Sequence, residues 1–298
     1  MSAAREEIGI VGLGLMGCAL ASRLIGAGYA VLGFDIDRAR QPALEGMGGT
    51  FAGSLPEVAR RCRVIFLAVF DTDQVEAVIE SGLLPAADPG RDGILLCAST
   101  CDPDRIAALA LRIEPQGMNL LETPVSGTSE QVRQGTGVCL IGGDPTKLTE
   151  VADILRAVFA RHFRMGPVGL AGRAKLAINL ILGLNRLALA EGLVFAERLG
   201  LEPGRFLEIA RQAASYSQVM DTKGPKMLRG DFAPEGRARQ TLKDFQLMLA
   251  QARKAGQELP LAALNAEILE ACVRSGEGDQ DNSVVIREIR RRSAGAPE

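Results

Sequence analysis

The chain has 298 residues, 47% of them hydrophobic, with 34 Lys and Arg against 36 Asp and Glu and a formal net charge of -2. That length buries a substantial core and suits two domains better than one. The charge balance supplies no basic field for nucleic acid or anionic lipid, so the expected ligand is small, with no nucleic-acid or membrane partner. Six scattered cysteines without a CxxC pair, and His162 as the single histidine, encode neither a zinc site nor a disulfide framework, and they make a His-activated nucleophile a poor fit.

The opening MSAAREEIGIVGLG places acids before its first apolar run and lacks the basic, apolar and small-residue layout of a signal peptide, so a cytoplasmic location is expected. Short apolar or β-branched runs predict strands at Ile8 to Val11, Ala30 to Phe34, Val64 to Val69, Gly93 to Ala98, Asn119 to Thr123 and Gly137 to Ile141, with helical patterns between them. This alternation predicts an α/β fold with a doubly wound, Rossmann-type sheet.

Directly after the first predicted strand comes GLGLMG. There Gly12 permits a tight turn, Gly14 a close approach of a pyrophosphate, and Gly17 close packing of the next helix on the strand. Gly12, Gly14, Leu15, Met16 and Gly17 are therefore the expected dinucleotide cradle. Asp35 ends the second strand, eighteen positions beyond Gly17, where a carboxylate accepts from both hydroxyls of an adenosine ribose and repels a 2'-phosphate, favouring NAD over NADP. Arg38 and Arg40 follow, either as phosphate ligands or as a solvated first helical turn. The ends of the next two strands offer Val69, Ser99 and Thr100 to the nicotinamide or its ribose; for Ser99 and Thr100 the equal alternative is a helix cap before Asp102 and Pro103.

The segment ETPVSGTSEQVRQGTG follows a strand that should end beside the cofactor. Its Ser126, Gly127 and Thr128 present hydroxyls and backbone N–H groups to a carboxylate, or form an ordinary turn in which Thr128 caps a helix. His162 lies near an expected edge strand and reads as structural. Gly166, Pro167 and Gly169 punctuate the chain, and the strand signals stop. The expected division is therefore a dinucleotide-binding domain over 1–166 and an all-helical domain over 167–298. In the helical part, Leu176 to Ala196 is apolar but interrupted by Asn179, Asn185, Arg186 and Glu191, the pattern of a buried helix in a soluble protein. Gly172, Lys175 and Asn179 share one face of that helix. A desolvated lysine beside an asparagine suits proton exchange and substrate orientation; the plainer reading is a lysine snorkelling to water. The basic run Arg287 to Arg292 reads as a solvated helix end.

Taken together, IGIVGLGLMG, TPVSG with the following GTG, the stretch bearing Gly172, Lys175 and Asn179, LKDFQLMLAQARKAGQELPL and GEGDQDNSVV resemble the β-hydroxyacid dehydrogenases. That is the family of 3-hydroxyisobutyrate dehydrogenase and tartronate semialdehyde reductase, related to 6-phosphogluconate dehydrogenase, and the resemblance spans nearly the whole chain. It implies that Lys175 is the general acid/base, that Asn179 orients the substrate, that Ser126 and Gly127 hold its carboxylate, and that Lys243 reaches the site from a later helix on the cofactor side. It also implies a small carboxylate substrate, such as 3-hydroxyisobutyrate, glycerate, threonate or 4-hydroxybutyrate, and a homodimer or homotetramer. Thr128 in place of a second Gly, Glu122 and Thr123 in place of the commoner Asp and Ala, and Ile178 at the first place of a frequent Asn pair depart from the pattern and bear on substrate identity. Two rivals are an imine reductase, which generally lacks the catalytic lysine, and a non-catalytic NAD-binding module.

Overall fold

A computed structural model describes residues 6–88, 90 and 92–294. Its packing divides the chain into two compact units, one ending at Lys175 and one beginning at Leu176.

The first unit is built on strands β1 (Ile8–Val11), β2 (Val31–Phe34), β3 (Thr50–Phe51), β4 (Val64–Leu67), β5 (Gly93–Cys97), β6 (Met118–Glu122), β7 (Val125–Ser126), β8 (Val138–Gly142) and β9 (Arg161–Gly166). They form one sheet in the order β3-β2-β1-β4-β5-β6-β8-β7, with β9 also paired to β8. Pairing is parallel from β3 through β6, antiparallel where β8 meets β6 and β7, and parallel again between β8 and β9. The strands are apolar on both faces because both faces are covered. Ile8, Ile10, Val64, Phe66, Ile94 and Leu96 join one cluster, while the intervening Val11, Ile65, Leu67, Leu95 and Cys97 join another.

The six strands expected from sequence are present, β1 with the expected ends and the other five with ends shifted by one or two residues. Two further strands, β3 and β7, escaped that reading because two residues are too short to show a period, and β9, RHFRMG, is the edge strand expected near His162, exposed and without apolar alternation. His162 lies in β9.

The second unit is helical, and its core gathers Leu193, Met227, Phe245, Met248, Leu269, Cys272 and Ile286 from successive helices. Its first element is the long helix Leu170–Arg198, whose opening residues belong to the sheet unit. The compact units thus divide nine residues beyond the sequence-based boundary at 166/167, because the first turns of this helix are hydrogen-bonded to the sheet unit at Glu122 and Val125. By length and composition the helix would also cross a membrane. Its Lys175 and Arg186 are buried, and hydrocarbon would penalise both charges. The buried helix read from composition is buried on one side only: Ile178, Ile181, Leu182 and Phe195 are exposed.

Candidate functional site

The glycine turn after β1 has the geometry that each of its glycines allows. Gly12 has φ +92°, and a Cβ there would lie 2.5 Å from the Ala68 carbonyl oxygen; a Cβ on Gly17 would lie 1.8 Å from the Gly12 oxygen. These two positions therefore exclude any side chain for reasons internal to the fold. Gly14 differs, since a Cβ there would meet nothing within 4 Å. It is the N-cap of the helix Leu15–Gly26, which has no side-chain cap and no acid in its first turn. An uncapped helix terminus facing open space provides N–H groups and a favourable dipole for a phosphate, so the residues fit the pyrophosphate of a dinucleotide.

Asp35 follows β2 directly. Its Oδ2 accepts from the Leu13 N–H at 2.7 Å and its Oδ1 from the Asp37 N–H at 2.9 Å. The carboxylate therefore fixes the glycine turn as well as standing beside it, a role that spacing alone did not reveal. Each oxygen keeps a lone pair for a hydroxyl. Arg40 pairs with Asp37 at 3.3 Å, and the neighbouring Ile36 is 91% exposed.

Val69 lies just beyond β4, where its carbonyl accepts the Ser99 hydroxyl at 2.8 Å. Ser99 thus ties the ends of β4 and β5 together. The cap once open to Ser99 or Thr100 belongs to Asp102, whose carboxylate accepts from the Asp104 and Arg105 N–H groups, with the Thr72 hydroxyl accepting from the Asp102 N–H.

At the TPVSG segment, Ser126 lies in β7, opposite Val138, and Gly127 follows with φ +142°. Thr128 caps the next helix in a capping box: its hydroxyl accepts from the Gln131 N–H at 3.2 Å while Gln131 Oε1 accepts from the Thr128 N–H at 2.8 Å. The plain turn-and-cap reading thus describes Thr128 in the protein alone. Lys175 is 6% exposed, and its Nζ donates to the Val125 carbonyl at 2.6 Å. The snorkelling alternative is overturned, because the amine is buried directly against the strand that carries Ser126.

Glu122 sets that placement. It is buried at the end of β6, with Oε2 accepting from the Gly169 N–H at 2.6 Å and Oε1 from the Gly172 N–H at 3.0 Å. Burial pushes its carboxyl above the ordinary range, partly offset by the N–H groups of Gly169, Gly172 and Ala171. A protein carboxylate therefore closes the N-terminus of the long helix less than two turns before Lys175. Sequence reasoning flagged Glu122 only as a departure from a pattern, since its partners are 47 and 50 residues away.

In the helical unit, Asn179 Nδ2 donates to Asp244 Oδ2 at 3.0 Å, and Lys243 Nζ lies 3.1 Å from Asp244 Oδ1. Asp244 is buried and holds Asn179 and Lys243 to one carboxylate, an organising role missed from sequence although it adjoins Lys243 in LKDF. The helix Leu170–Arg198 carries Lys175 and Asn179 one turn apart on one face.

Residues 7–166 match the family described as the NAD binding domain of 6-phosphogluconate dehydrogenase, and residues 169–289 match that described as the NAD-binding domain of NADP-dependent 3-hydroxyisobutyrate dehydrogenase. The chain is similar to an L-threonate dehydrogenase of Cupriavidus necator, 28% identical over 285 residues that cover 95% of each chain. Its structure is similar to that of 3-hydroxyisobutyrate dehydrogenase of Mycobacterium tuberculosis with L-serine, at TM-score 0.83 and 26% identity, covering 96% of this chain and 99% of the other. It is also similar to a 3-hydroxyisobutyrate dehydrogenase structure from Salmonella typhimurium, at TM-score 0.87 and 26% identity, covering 95% and 99%.

Proposed function

The chain belongs to the β-hydroxyacid dehydrogenase family, and from that premise we propose that it interconverts a small β-hydroxy acid with its semialdehyde or keto acid, using Lys175 as general acid/base. The observation that carries this reading is the buried Lys175 amine on the Val125 carbonyl, adjoining Ser126 and Gly127. A nicotinamide bound at the glycine turn supplies or accepts the hydride. Lys175 takes the hydroxyl proton in oxidation and returns it in reduction, and its ammonium form stabilises a developing alkoxide. Ser126 and the Gly127 N–H receive the substrate carboxylate, with the hydroxyl proton of Thr128 within the same loop. Asn179, steadied by Asp244, holds the reacting oxygen in line.

NAD is the favoured cofactor, supported by the negative charge of Asp35 beside the glycine turn and by the engagement of Arg40 with Asp37. Ile36 offers exposed apolar surface to an adenine at the same place. Val69, Ser99 and Thr100 border the nicotinamide end, and Lys243 serves the cofactor side. The exposed Ile178, Ile181, Leu182 and Phe195 of the long helix support assembly into a homodimer or homotetramer. The location is read as cytoplasmic.

The test is NADH formation with a panel of short hydroxy acids, comparing NAD with NADP and the intact chain with Lys175→Ala. Turnover with NAD that falls roughly 10²- to 10⁴-fold in the variant is expected. Turnover indifferent to Lys175 would sink the mechanism, and cofactor binding without turnover of any hydroxy acid, semialdehyde or imine would sink the enzyme reading.

A further inference from the structure

Two helical turns beyond Asn179, on the same face of the long helix, lies Arg186. It is 6% exposed, and among the described residues it makes no hydrogen bond and no ion pair. Buried arginines are ordinarily paired, because a desolvated guanidinium with no partner forfeits its hydration for nothing. The nearby acids do not supply the partner. Asp244 accepts from Asn179 at Oδ2, while its buried Oδ1 forms no hydrogen bond among the described residues and lies in an ion pair with Lys243. Asp281 accepts from Lys223, from the Glu235 and Gly236 N–H groups, and from the Ser283 N–H and hydroxyl. Both act on Arg186 only through space; burial lowers its pKa to about 10, and it stays protonated at neutral pH.

A second buried polar side chain faces the same helix. Asn265, on the helix Pro260–Arg274, is 2% exposed and likewise makes no hydrogen bond among the described residues. Gly183 shows that Asn265 faces the long helix one turn before Arg186: a Cβ at Gly183 would lie 3.4 Å from Asn265 Nδ2 and 2.5 Å from the Phe245 ring. Neither Arg186 nor Asn265 is among the sealed, unpartnered polar atoms of the described residues, so each keeps its small exposure at polar atoms. The long helix thus presents Asn179, then Gly183 with the Phe245 ring packed against it, then Arg186, with Asp244 and Asn265 facing it from two neighbouring helices.

We propose that Arg186 and Asn265 form a receptor for a second carboxylate, so that the preferred substrate is a hydroxy acid or semialdehyde with carboxylates at both ends. A planar guanidinium beside an amide NH₂ matches a carboxylate's two oxygens. The position fixes which carboxylate it is. Arg186 lies about 10 Å along the helix axis from Asn179, too far to serve the group adjoining the carbon whose oxygen Asn179 holds. The proposal rests on the dehydrogenase reading for the identity of the reacting end.

Two probes share that end and differ in the tail: 3-hydroxyisobutyrate carries a methyl where 2-(hydroxymethyl)glutarate carries a second carboxylate on a two-carbon arm. The ratio of kcat/KM for the diacid over the monoacid should fall about a hundredfold in Arg186→Met and about tenfold in Asn265→Leu, with Arg186→Lys between them. In parallel, calorimetry with glutarate on the full-length protein, with and without NAD, should show binding that Arg186→Met abolishes, with inorganic phosphate binding far more weakly. Asn265→Leu carries the same two measurements if Arg186→Met does not fold. An unchanged ratio, glutarate binding that survives both substitutions, or phosphate binding as tightly as glutarate would overturn the proposal. If neither probe turns over in the intact protein while another short hydroxy acid does, the dehydrogenase reading stands and the glutarate calorimetry decides whether the receptor exists; no turnover of any hydroxy acid, semialdehyde or imine would instead fail that reading.

Discussion

The helix Leu15–Gly26 begins at Gly14 with no side-chain cap, no acid in its first turn and open space at the position of a Cβ. The helix Leu170–Arg198 begins with the Glu122 carboxylate on the N–H groups of Gly169 and Gly172. Both termini carry the same unsatisfied donors and the same favourable field for an anion. One is satisfied from within and becomes a rigid mount for Lys175; the other is left for the phosphates of a ligand. A helix end without its anion is in this chain fitted to bind one, and a helix end with one is a support.

Closing the open terminus gives the largest expected effect. Gly14→Asp supplies the missing cap and places an acid where a pyrophosphate would sit. NADH affinity, followed by fluorescence without interference from tryptophan since the chain has none, should drop at least about a hundredfold, or about 2.7 kcal/mol. The melting temperature should hold or rise, because the cap is worth about 1 kcal/mol. Retained NADH affinity in this variant would show that the turn is not the phosphate site.

Opening the closed terminus should act on the fold first. Glu122→Ala strands buried N–H groups at Gly169 and Gly172 and leaves a void, with an expected loss of about 2–3 kcal/mol in denaturant unfolding. A fall in kcat should accompany it as the mount of Lys175 loosens. An undisturbed kcat would mean that the position of Lys175 does not depend on this cap.

The smallest effect, and the sharpest in sign, is in pH. Burial holds the Glu122 carboxyl above its ordinary range, so the fold binds this proton more tightly than the unfolded chain does. Its contribution is fully present below the unfolded pKa and is lost as pH rises through the folded value. Asp281, in the helical unit, has the opposite sign. Burial pushes it up, but Lys223 and the N–H groups of Glu235 and Ser283 bring it below the ordinary range. Its stabilisation is present above the unfolded pKa and disappears as pH falls through the folded one. Unfolding free energies measured from about pH 3 to 7, a range spanning the unfolded carboxyl values near 4, should therefore diverge. The stability of Glu122→Gln relative to the intact chain should rise with pH, and that of Asp281→Asn should fall. Parallel slopes would contradict both assignments.

How much of this was legible in the sequence varies with the range of the interaction. The glycine turn was legible because all its requirements fall within six residues, and so was the face shared by Lys175 and Asn179, because helical periodicity puts it there. The parallel core strands were legible through their continuous apolar runs. The partners of Glu122 lie 47 and 50 residues away, and Asp244 reaches Asn179 across 65 positions, so no local pattern announces either. The compact units divide nine residues beyond the 166/167 boundary read from sequence for the same cause. Gly166 and Pro167 mark the end of β9, but the hydrogen bonds at Glu122 and Val125 keep the next turns of chain in the sheet unit. The buried isolation of Arg186 was equally hidden, since in sequence it reads as an ordinary polar interruption of an apolar helix.

The Glu122 cap also orders events as the chain leaves the ribosome. Strand β6 is made early, yet its terminal carboxylate has no buried partner until Gly169 and Gly172 have been synthesised. A nascent sheet that stopped at β9 would have to bury an unsatisfied charge or keep that end of β6 wet, so the unit closes only once the start of the following helix has emerged. The segment that delivers Lys175 is thus the one whose arrival completes the first unit, and a chain cut short at the sheet's last strand would lack both the amine and the means of finishing its own fold.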